Sequence, residues 1–296
     1  MRVLHLDSGR EMRGGQWQVL RLHQALLQAG HESFLLARGG APLLRAAMEQ
    51  GLPCAALHAL RVLARSRDFD VVHAHDARSH SLAAFLTKVP LVVSRRVAFP
   101  VKSSALSRKK YRAAERYLAV SRFVAQVLLE AGIDDSRIDV VYDGVQIPAQ
   151  PANGDDIITP YTSDPAKEMA LAEQAADLAG VELRLSQNLE WDLPNTKAMV
   201  YLSRAEGLGS GILLAMAYGV ALIASRTGGI PEIIEDGING ILVENEPNAI
   251  AQALRSLTPA RCAEIGGNAR ETVRQRFTVS HMVEATMASY RKALHG

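Results

Sequence analysis

The sequence predicts an α/β protein with two doubly wound parallel-sheet domains, and three observations support this. Short apolar runs rich in β-branched residues alternate with helical patterns of about 10–15 residues, which is typical of parallel sheets covered on both faces. The alternation breaks once, at VQIPAQPANGDD (145–156), and then begins again. The 296 residues suffice for two domains of ordinary size. We therefore expect one domain over residues 1–148 and a second over 149–296.

The first domain contains seven predicted strands. Its first helix, over residues 16–29, has Trp17 and Leu20 at helical spacing and ends at Gly30. Ser121 is a suitable N-cap for a later helix. The predicted strands are 2–6, 32–37, 53–57, 71–75, 90–94, 117–120 and 139–142. The predicted helices are 16–29, 41–50, 79–87, 103–116 and 121–132.

The second domain repeats the alternation and ends in helices alone. Gly180 and Gly219 each follow a helical pattern, as expected of residues that end a helix. The predicted strands are 156–159, 181–185, 198–203, 220–225 and 241–243. The predicted helices are 164–179, 210–218, 230–235, 246–257, 259–276 and 278–294. In two such domains joined by a linker, ligands are expected in a crevice at the carboxyl ends of the strands.

Composition excludes several classes of protein. No apolar run approaches the roughly 18 residues of a membrane span. The beginning MRVLHLDSGR enters a strand pattern directly, so we expect no secretory leader. The two cysteines, Cys54 and Cys262, lie far apart and provide neither a disulfide framework nor a cysteine zinc site. We expect a cytoplasmic protein.

Charge is divided unevenly along the chain. The first 145 residues hold 21 Lys and Arg against 13 Asp and Glu, a net charge of +8, whereas the rest hold 12 against 18, a net charge of −6. Much of the positive charge lies in one run, at Arg95, Arg96, Lys102, Arg108, Lys109, Lys110, Arg112 and Arg116. This run predicts contact with an anionic acceptor or with an anionic membrane surface, and the second would place the protein at the inner face of the membrane. A solvated helix face, or attraction between the two halves, would also explain it, and no nucleic-acid-binding motif is present.

Two glycine-rich segments are candidate anion sites. Gly14 and Gly15 follow the first strand and begin a helix, whose free N–H groups suit an anion. The stronger candidate is AEGLGSGILLAMAYG (205–219), in which Glu206 precedes alternating glycines and an apolar helix. Its amides suit a phosphate, and the carboxylate suits the hydroxyls of a sugar.

Two histidines alternate on the strand 71–75. His73 and His75 share one face, since side chains repeat every second residue along a strand. With Asp76 they could bind a metal ion, but we favour a polar lining at the end of the strand and expect no metal.

Residues 201–243 resemble the donor site of retaining glycosyltransferases of family 4, which have the GT-B fold of two Rossmann-like domains. The family motif is similar to EGFG…LEAMA-G-PVVAS..GG..E…DG.NG.LV. It is matched here by Glu206 to Gly209, LLAMAYG (213–219), Ala224-Ser225, Gly228-Gly229, Glu232, Asp236-Gly237 and Asn239-Gly240. Further counterparts are GG (14–15), AGHES (29–33), DVVHAH (70–75), YLAVSRFVAQVL (117–128) and VVYDGV (140–145).

The resemblance implies roles for individual residues. Glu206 would contact the donor sugar, while Lys167 would hold the diphosphate together with Gly14, Gly15 and the backbone of Gly207, Gly209, Ser210 and Gly211. The family's second Glu, which takes the ribose, falls on Leu214. The family's donor-site Arg is absent, and Tyr161, Thr162 and Ser163 stand in its place. Arg95 or Arg96 could supply the missing charge.

The implied activity is the transfer of a sugar, with retention and without a metal or other cofactor, from a nucleotide-sugar to an acceptor. The acceptor could be a lipid-linked or cell-envelope glycan. Leu214 and the missing Arg leave open a non-catalytic GT-B binding protein, and a nucleotide-sugar epimerase is a further alternative. The second domain also lacks one strand-helix unit of the family, between residues 185 and 198.

Overall fold

The computed structural model describes residues 1–101 and 104–295, so Lys102 lies outside the described residues. The chain forms two compact units. Unit 1 contains Met1–Gly144 and the chain from Val279 onward, and unit 2 contains Val145–Thr278. Throughout the described parts of the chain, no helix is both long and apolar enough to cross a bilayer.

Unit 1 is built on a parallel sheet of seven strands. Their order across the sheet is β3-β2-β1-β4-β5-β6-β7, so that the chain first winds outward on one side and then on the other. The strands are β1 (Arg2–Asp7), β2 (Glu32–Ala37), β3 (Cys54–Ala56), β4 (Val71–Ala74), β5 (Leu91–Arg95), β6 (Arg116–Ala119) and β7 (Ile138–Val140). The helices before the linker are α1 (Gly14–Gln28), α2 (Pro42–Glu49), α3 (Ala59–Arg65), α4 (Ala77–Leu86), α5 (Ala105–Arg112) and α6 (Arg122–Glu130).

Unit 2 is built on a parallel sheet of five strands in the order β12-β11-β10-β8-β9. The strands are β8 (Asp156–Pro160), β9 (Arg184–Ser186), β10 (Thr196–Tyr201), β11 (Ala221–Ser225) and β12 (Ile241–Val243). The helices are α7 (Met169–Ala179), α8 (Leu189–Asp192), α9 (Ser210–Tyr218), α10 (Pro247–Ser256) and α11 (Pro259–Arg276). The apolar faces of β8, β10 and β11 pack against α7, α10 and α11 and form the core.

The last helix, α12 (Val279–His295), belongs to unit 1 and not to the second domain, where the sequence placed it. Its buried residues Met282, Met287 and Tyr290 pack in one cluster with Leu22 and Leu26 of α1. These side chains cover the apolar surface of β4, β5 and β6. Burial of apolar area, rather than nearness in sequence, thus decides where the helix lies.

Two predicted helices differ in the structure. The segment 164–179 is a 3₁₀ turn, Pro165–Lys167, followed by α7, because Glu168 between them adopts the left-handed conformation with φ of 44°. The segment 230–235 forms only the 3₁₀ turn Ile230–Glu232, since a proline and β-branched isoleucines disfavour a longer helix. Helices α3 and α8 were not predicted.

Candidate functional site

The candidate donor site of unit 2 is centred on Glu206, in the loop after β10. The Tyr201 hydroxyl donates a hydrogen bond of 2.8 Å to Oε2 of Glu206, and the Lys167 ammonium pairs with the same oxygen. Lys167 also donates to the Tyr201 hydroxyl at 3.0 Å. The other oxygen, Oε1, accepts from the backbone N–H of Gly207 at 3.1 Å. The structure therefore joins two predicted residues, Lys167 and Glu206, through a third that the sequence did not identify.

The Lys167 ammonium remains charged in this environment. Although burial lowers the pKa of Lys167, its contacts with Tyr201 and Glu206 raise that pKa above the ordinary value. Burial raises the pKa of the Tyr201 hydroxyl, which therefore stays protonated and can donate. The side chains of Lys167 and Glu206 are 27% and 15% exposed, so a ligand can reach both. The cluster presents a cation and a carboxylate side by side.

A strained turn places Lys167 at this position. The Asp164 side chain accepts from the N–H of Ala166 at 3.0 Å and begins the 3₁₀ turn that ends at Lys167. Glu168 follows in the left-handed region, which is costly for a residue with a side chain. Its carboxylate compensates by binding Arg204 Nε at 2.8 Å and Asn245 Nδ2. The turn is thereby fixed to the loop that carries Glu206.

The glycines of the motif have distinct geometric roles. Gly209, the residue just before α9, has φ of 101°, a conformation that a residue with a side chain would adopt only under strain. A Cβ on Gly228 would lie 2.0 Å from the carbonyl oxygen of Glu206, and Gly229 donates to that oxygen at 3.1 Å. A Cβ on Gly211 would lie 3.3 Å from the Tyr201 ring. Gly211 thus makes room for the ring.

The remaining predicted donor-site residues lie in the first turns of α9. Ser210 and Gly211 are its first residues, where backbone N–H groups lack helical partners. Leu214 lies one turn further and is half-buried between the buried Leu213 and Ala215. A leucine offers no polar atom, so this position cannot hydrogen-bond a ribose.

In unit 1, the predicted residues Arg96 and Gly15 lie together. Arg96 Cδ is 3.6 Å from the point where a Cβ on Gly15 would lie, so the missing side chain gives the arginine its place at the beginning of α1. The guanidinium pairs with Oδ1 of Asp143 at 3.3 Å. It also lies 3.5 Å from Nδ1 of His75. Gly14, the first residue of α1, adds an N–H group that has no helical partner within the first turn.

Arg95 has a different environment from its neighbour. Its guanidinium donates to the backbone oxygen of Phe99 and, at 3.4 Å, to the hydroxyl of Tyr111 on α5. These bonds fix the segment after β5 against α5. Arg95 thus binds residues that follow it closely in the chain, whereas Arg96 lies at the beginning of α1.

A group of buried histidines lies next to Arg96. His5 and His75 share a hydrogen bond of 2.9 Å, and His73 bonds Tyr290 at 2.7 Å and Ser94 at 2.8 Å. Ring nitrogens of His5, His73 and His75 lie within 4.8 Å of one another, as metal ligands could. The Arg96 cation beside His75 opposes a metal cation there.

Asp76, which the sequence considered as a further ligand, faces elsewhere. Its carboxylate accepts from Ser8 N at 2.6 Å and from Ser79 N at 3.1 Å, and it caps α4. Burial raises the pKa of Asp76, but the hydrogen bonds from Ser79 and Ser8 lower it further, so the net pKa lies below the ordinary value.

The basic helix α5 has no buried residue. Lys110 is partly anchored, since its ammonium donates to the backbone oxygen of Ala77 at 2.5 Å and burial lowers its pKa. Lys109 lies 5.8 Å from the ring centre of Phe85, which is 46% exposed. Arg108 and Arg112 share the helix with the exposed Leu106. Cations and apolar side chains thus alternate on this surface.

A cavity of about 540 Å³ lies elsewhere in unit 2, against α11. Arg226, Asp236, Thr272 and Arg276 are among its lining residues, and no residue to which the sequence analysis assigned a role in binding or catalysis is. We place the candidate site at Glu206 instead, because the cation, carboxylate and helix start converge there.

Three residues of these sites escaped the sequence analysis: Tyr201, Glu168 and Asp143. Tyr201 ends an apolar strand, where it resembles a core residue. Its hydroxyl at the strand's carboxyl end was the available indication, since ligands of parallel sheets bind at that edge. Asp143, in VVYDGV, similarly follows the last strand of its sheet.

Comparisons with known proteins identify the family of the chain. Residues 12–147 match the family described as Glycosyltransferase Family 4, and residues 160–259 match Glycosyl transferases group 1. Alpha-maltose-1-phosphate synthase of Mycolicibacterium smegmatis is 26% identical over 75% of this chain and 79% of that protein. The Mycobacterium tuberculosis protein of the same name is 34% identical over 45% of this chain, but only 38% of that protein is matched.

Solved structures share the fold. Anabaena HepE in complex with UDP has a TM-score of 0.85 at 16% identity, covering 98% of this chain and 100% of that chain. A glycosyltransferase from Rickettsia africae has a TM-score of 0.81 at 20% identity, covering 99% of both chains. With two parallel α/β units and both family matches in order along the sequence, this chain belongs to the family 4 and group 1 glycosyltransferases of the GT-B fold.

Proposed function

We propose that this chain moves a sugar from a nucleotide-sugar to an acceptor with retention of configuration, and that Glu206 contacts the sugar. The observation that carries the proposal is the cluster of Glu206, Lys167 and Tyr201 beside the beginning of α9. The structures of HepE with UDP and with UDP-glucose support a donor of this class. The resemblance of residues 201–243 to retaining enzymes supports retention.

Each group has a chemical task in the proposed reaction. The Glu206 carboxylate accepts hydrogen bonds from sugar hydroxyls and fixes the donor. Lys167 and the free amides of Gly209, Ser210 and Gly211 stabilise the leaving diphosphate, which gains negative charge in the transition state. In unit 1, Arg96 and the first turn of α1 bind a phosphate group. Because these groups supply positive charge, we propose that no metal ion is needed.

The proposed acceptor is anionic, either a soluble phosphorylated compound or a lipid-linked glycan at a membrane surface. The names of two relatives, alpha-maltose-1-phosphate synthase and D-inositol 3-phosphate glycosyltransferase, include phosphorylated compounds. The excess of cations in the first 145 residues suits such an acceptor.

The test is incubation with a panel containing UDP-glucose and GDP-mannose, with and without phosphorylated acceptors. We expect release of nucleoside diphosphate that an acceptor accelerates, at equal rates with EDTA and with added magnesium. NMR of the product should show the donor's anomeric configuration. An inverted product would contradict retention, and a rate abolished by EDTA would contradict metal independence.

A non-catalytic binding protein is the second candidate. Leu214 favours it, as does the absence of an Arg around Thr162 and Ser163. Nucleotide-sugar binding without release of diphosphate, across the whole panel and with every acceptor, would establish this candidate and contradict transfer.

The membrane form of the acceptor proposal has its own test. We expect sedimentation with vesicles containing anionic lipid at low salt, fading as salt rises. A triple change of Arg108, Lys109 and Arg112 to Gln should weaken it and leave the anchored Lys110 in place. The charge-matched control changes three exposed arginines of unit 2, Arg255, Arg274 and Arg276. Absent or salt-independent binding would leave a soluble anion as the acceptor.

A further inference from the structure

Building on the proposed function, we infer that Tyr201 is a positioning residue for the donor sugar: its hydroxyl holds the Glu206 carboxylate in place when a diphosphate takes Lys167. Tyr201 lies at the carboxyl end of β10, opposite Ala224 in the sheet register. Its hydroxyl bonds both partners, at 2.8 Å to Glu206 and 3.0 Å to Lys167. Tyr201 thus contacts both Glu206, which we propose binds the sugar, and Lys167, which we propose binds the diphosphate.

The Glu206 carboxylate has three hydrogen-bond donors, and a ligand can draw some of them away more easily than others. Lys167 and Tyr201 share Oε2, while Gly207 N–H holds Oε1. A diphosphate carries more negative charge than a carboxylate and competes for the ammonium of Lys167. The Tyr201 hydroxyl is neutral and belongs to a rigid ring, so a diphosphate draws it from Oε2 less strongly than it draws the Lys167 ammonium. It therefore keeps the carboxylate oriented after the cation is drawn away.

The ring of Tyr201 is fixed by its packing. Gly211, at the beginning of α9, approaches it so closely that an added Cβ would lie 3.3 Å from Cε2. The same Cβ would meet Leu189 of α8 at 3.3 Å, so ring, helix start and α8 leave no room there. The absence of a side chain at position 211 thus determines where the hydroxyl lies. Gly211 serves the carboxylate through Tyr201 as well as offering its own amide.

This division of roles predicts a difference between two ligands. A nucleoside diphosphate engages Lys167 and the amides but no sugar contact, whereas the corresponding nucleotide-sugar also requires an oriented Glu206. Removing the hydroxyl of Tyr201 should weaken binding of the nucleotide-sugar and spare the nucleoside diphosphate. A purely structural role for Tyr201 would change the affinities for both ligands alike.

The experiment compares wild type and Tyr201→Phe by titration calorimetry with two pairs, UDP with UDP-glucose and GDP with GDP-mannose. For the pair that wild type binds, we expect the affinity for the nucleotide-sugar to fall about tenfold relative to that for the diphosphate, and kcat to fall more than KM rises. Because both ligands are titrated into one protein sample, the ratio does not depend on the stability of the variant.

Two further variants complete the test. Gly211→Ala should shift the affinity ratio in the same direction, because its Cβ presses on the Tyr201 ring. Tyr218→Phe, at the other end of α9, is the matched control and should leave the ratio unchanged. An unchanged ratio in Tyr201→Phe would overturn the inference alone. Failure of wild type to bind any of the four ligands would contradict the proposed function, and the inference with it.

Discussion

Unit 1 and unit 2 each hold a cation near the beginning of a glycine-containing helix, but they pair it with carboxylates of different kinds. Arg96 of unit 1 pairs with Asp143, whose side chain is 7% exposed. Lys167 of unit 2 pairs with Glu206, whose side chain is 15% exposed and lies in a loop. Asp143 is therefore shielded from ligands, whereas Glu206 is available to one.

Arg96 is therefore a cation with a fixed partner, whereas Lys167 is a cation that can exchange its partner for a ligand. Arg96 keeps its buried partner whatever binds, so its position depends on the fold of unit 1. Lys167 shares its partner with the proposed substrate, so ligand binding must rearrange the cluster. Changes at Asp143 should accordingly alter stability, and changes at Glu206 should alter turnover.

The largest difference that we expect between the two units is in their stability at acidic pH. All nine histidines of the chain belong to the residues of unit 1, and unit 2 has none. Burial lowers the pKa of His23 to about 4 and that of His80 to about 3, and it places those of His5, His73 and His75 well below the ordinary value. The unfolded chain therefore binds protons below about pH 6.5 that the folded unit does not. Stability is full above that pH and should fall by several kcal/mol toward pH 4.

Trp17 reports on unit 1 once Trp191 is replaced by Phe, because each unit holds one tryptophan. Urea unfolding followed by Trp17 emission at pH 7 and pH 5 measures the loss of stability. Adding His23→Gln should reduce the pH dependence, whereas replacing the exposed His58 should not. Equal stability at the two pH values would contradict the buried neutral histidines.

Glu206→Gln should lower turnover by about a hundredfold or more, because an amide cannot replace the carboxylate that orients the donor. The melting temperature should change little, since the site is partly exposed. The measurement is kcat with the donor that the panel identifies. Turnover near that of wild type would remove Glu206 from the reaction.

Asp143→Asn should have the opposite pattern, with a large loss of stability and a smaller loss of turnover. Leaving the Arg96 charge without its buried partner should cost about 2 kcal/mol of unfolding free energy, less than for a fully buried pair because Arg96 is partly exposed. Turnover of the folded protein should fall less than in Glu206→Gln. Chemical denaturation at pH 7 measures the cost, and unchanged stability would show that Asp143 is not a structural partner.

Leu214→Glu should have the smallest effect, a severalfold gain in nucleotide affinity. The change restores the carboxylate that the family has one turn into α9, at a half-buried position that can accept it. Calorimetry with UDP and GDP measures the gain. With the fold intact, an unchanged affinity would indicate that the ribose lies elsewhere.

The sequence predicted the sheets better than the helices around them. Each of the twelve strands assigned across the described residues overlaps a predicted one, because β-branched runs buried on both faces have a distinctive pattern. Helix α3 escaped because only Val62 of its seven residues is buried, which leaves little apolar periodicity. The place of α12 depends on packing with Leu22 and Leu26, which no local pattern records.

The site was predictable where a residue is proposed to contact the ligand itself and not where it acts through another residue. Glu206 was identified from its glycine-rich loop and Lys167 from the family resemblance, and the structure brings them together. Tyr201 and Asp143 matter through the residues that they hold, Glu206 and Lys167 for Tyr201 and Arg96 for Asp143, and such pairing requires tertiary structure. Gly211 was predicted for its amide, but its close contact with the Tyr201 ring could not be seen in the sequence.

A double-mutant cycle on kcat/KM tests whether Lys167 and Glu206 act as one unit in turnover. The proteins are wild type, Lys167→Met, Glu206→Gln and the double variant, assayed with the same donor and acceptor. We expect the second substitution to cost far less in the presence of the first than it does alone, as for residues that function together. Independent, multiplicative losses would show that Lys167 and Glu206 do not act together.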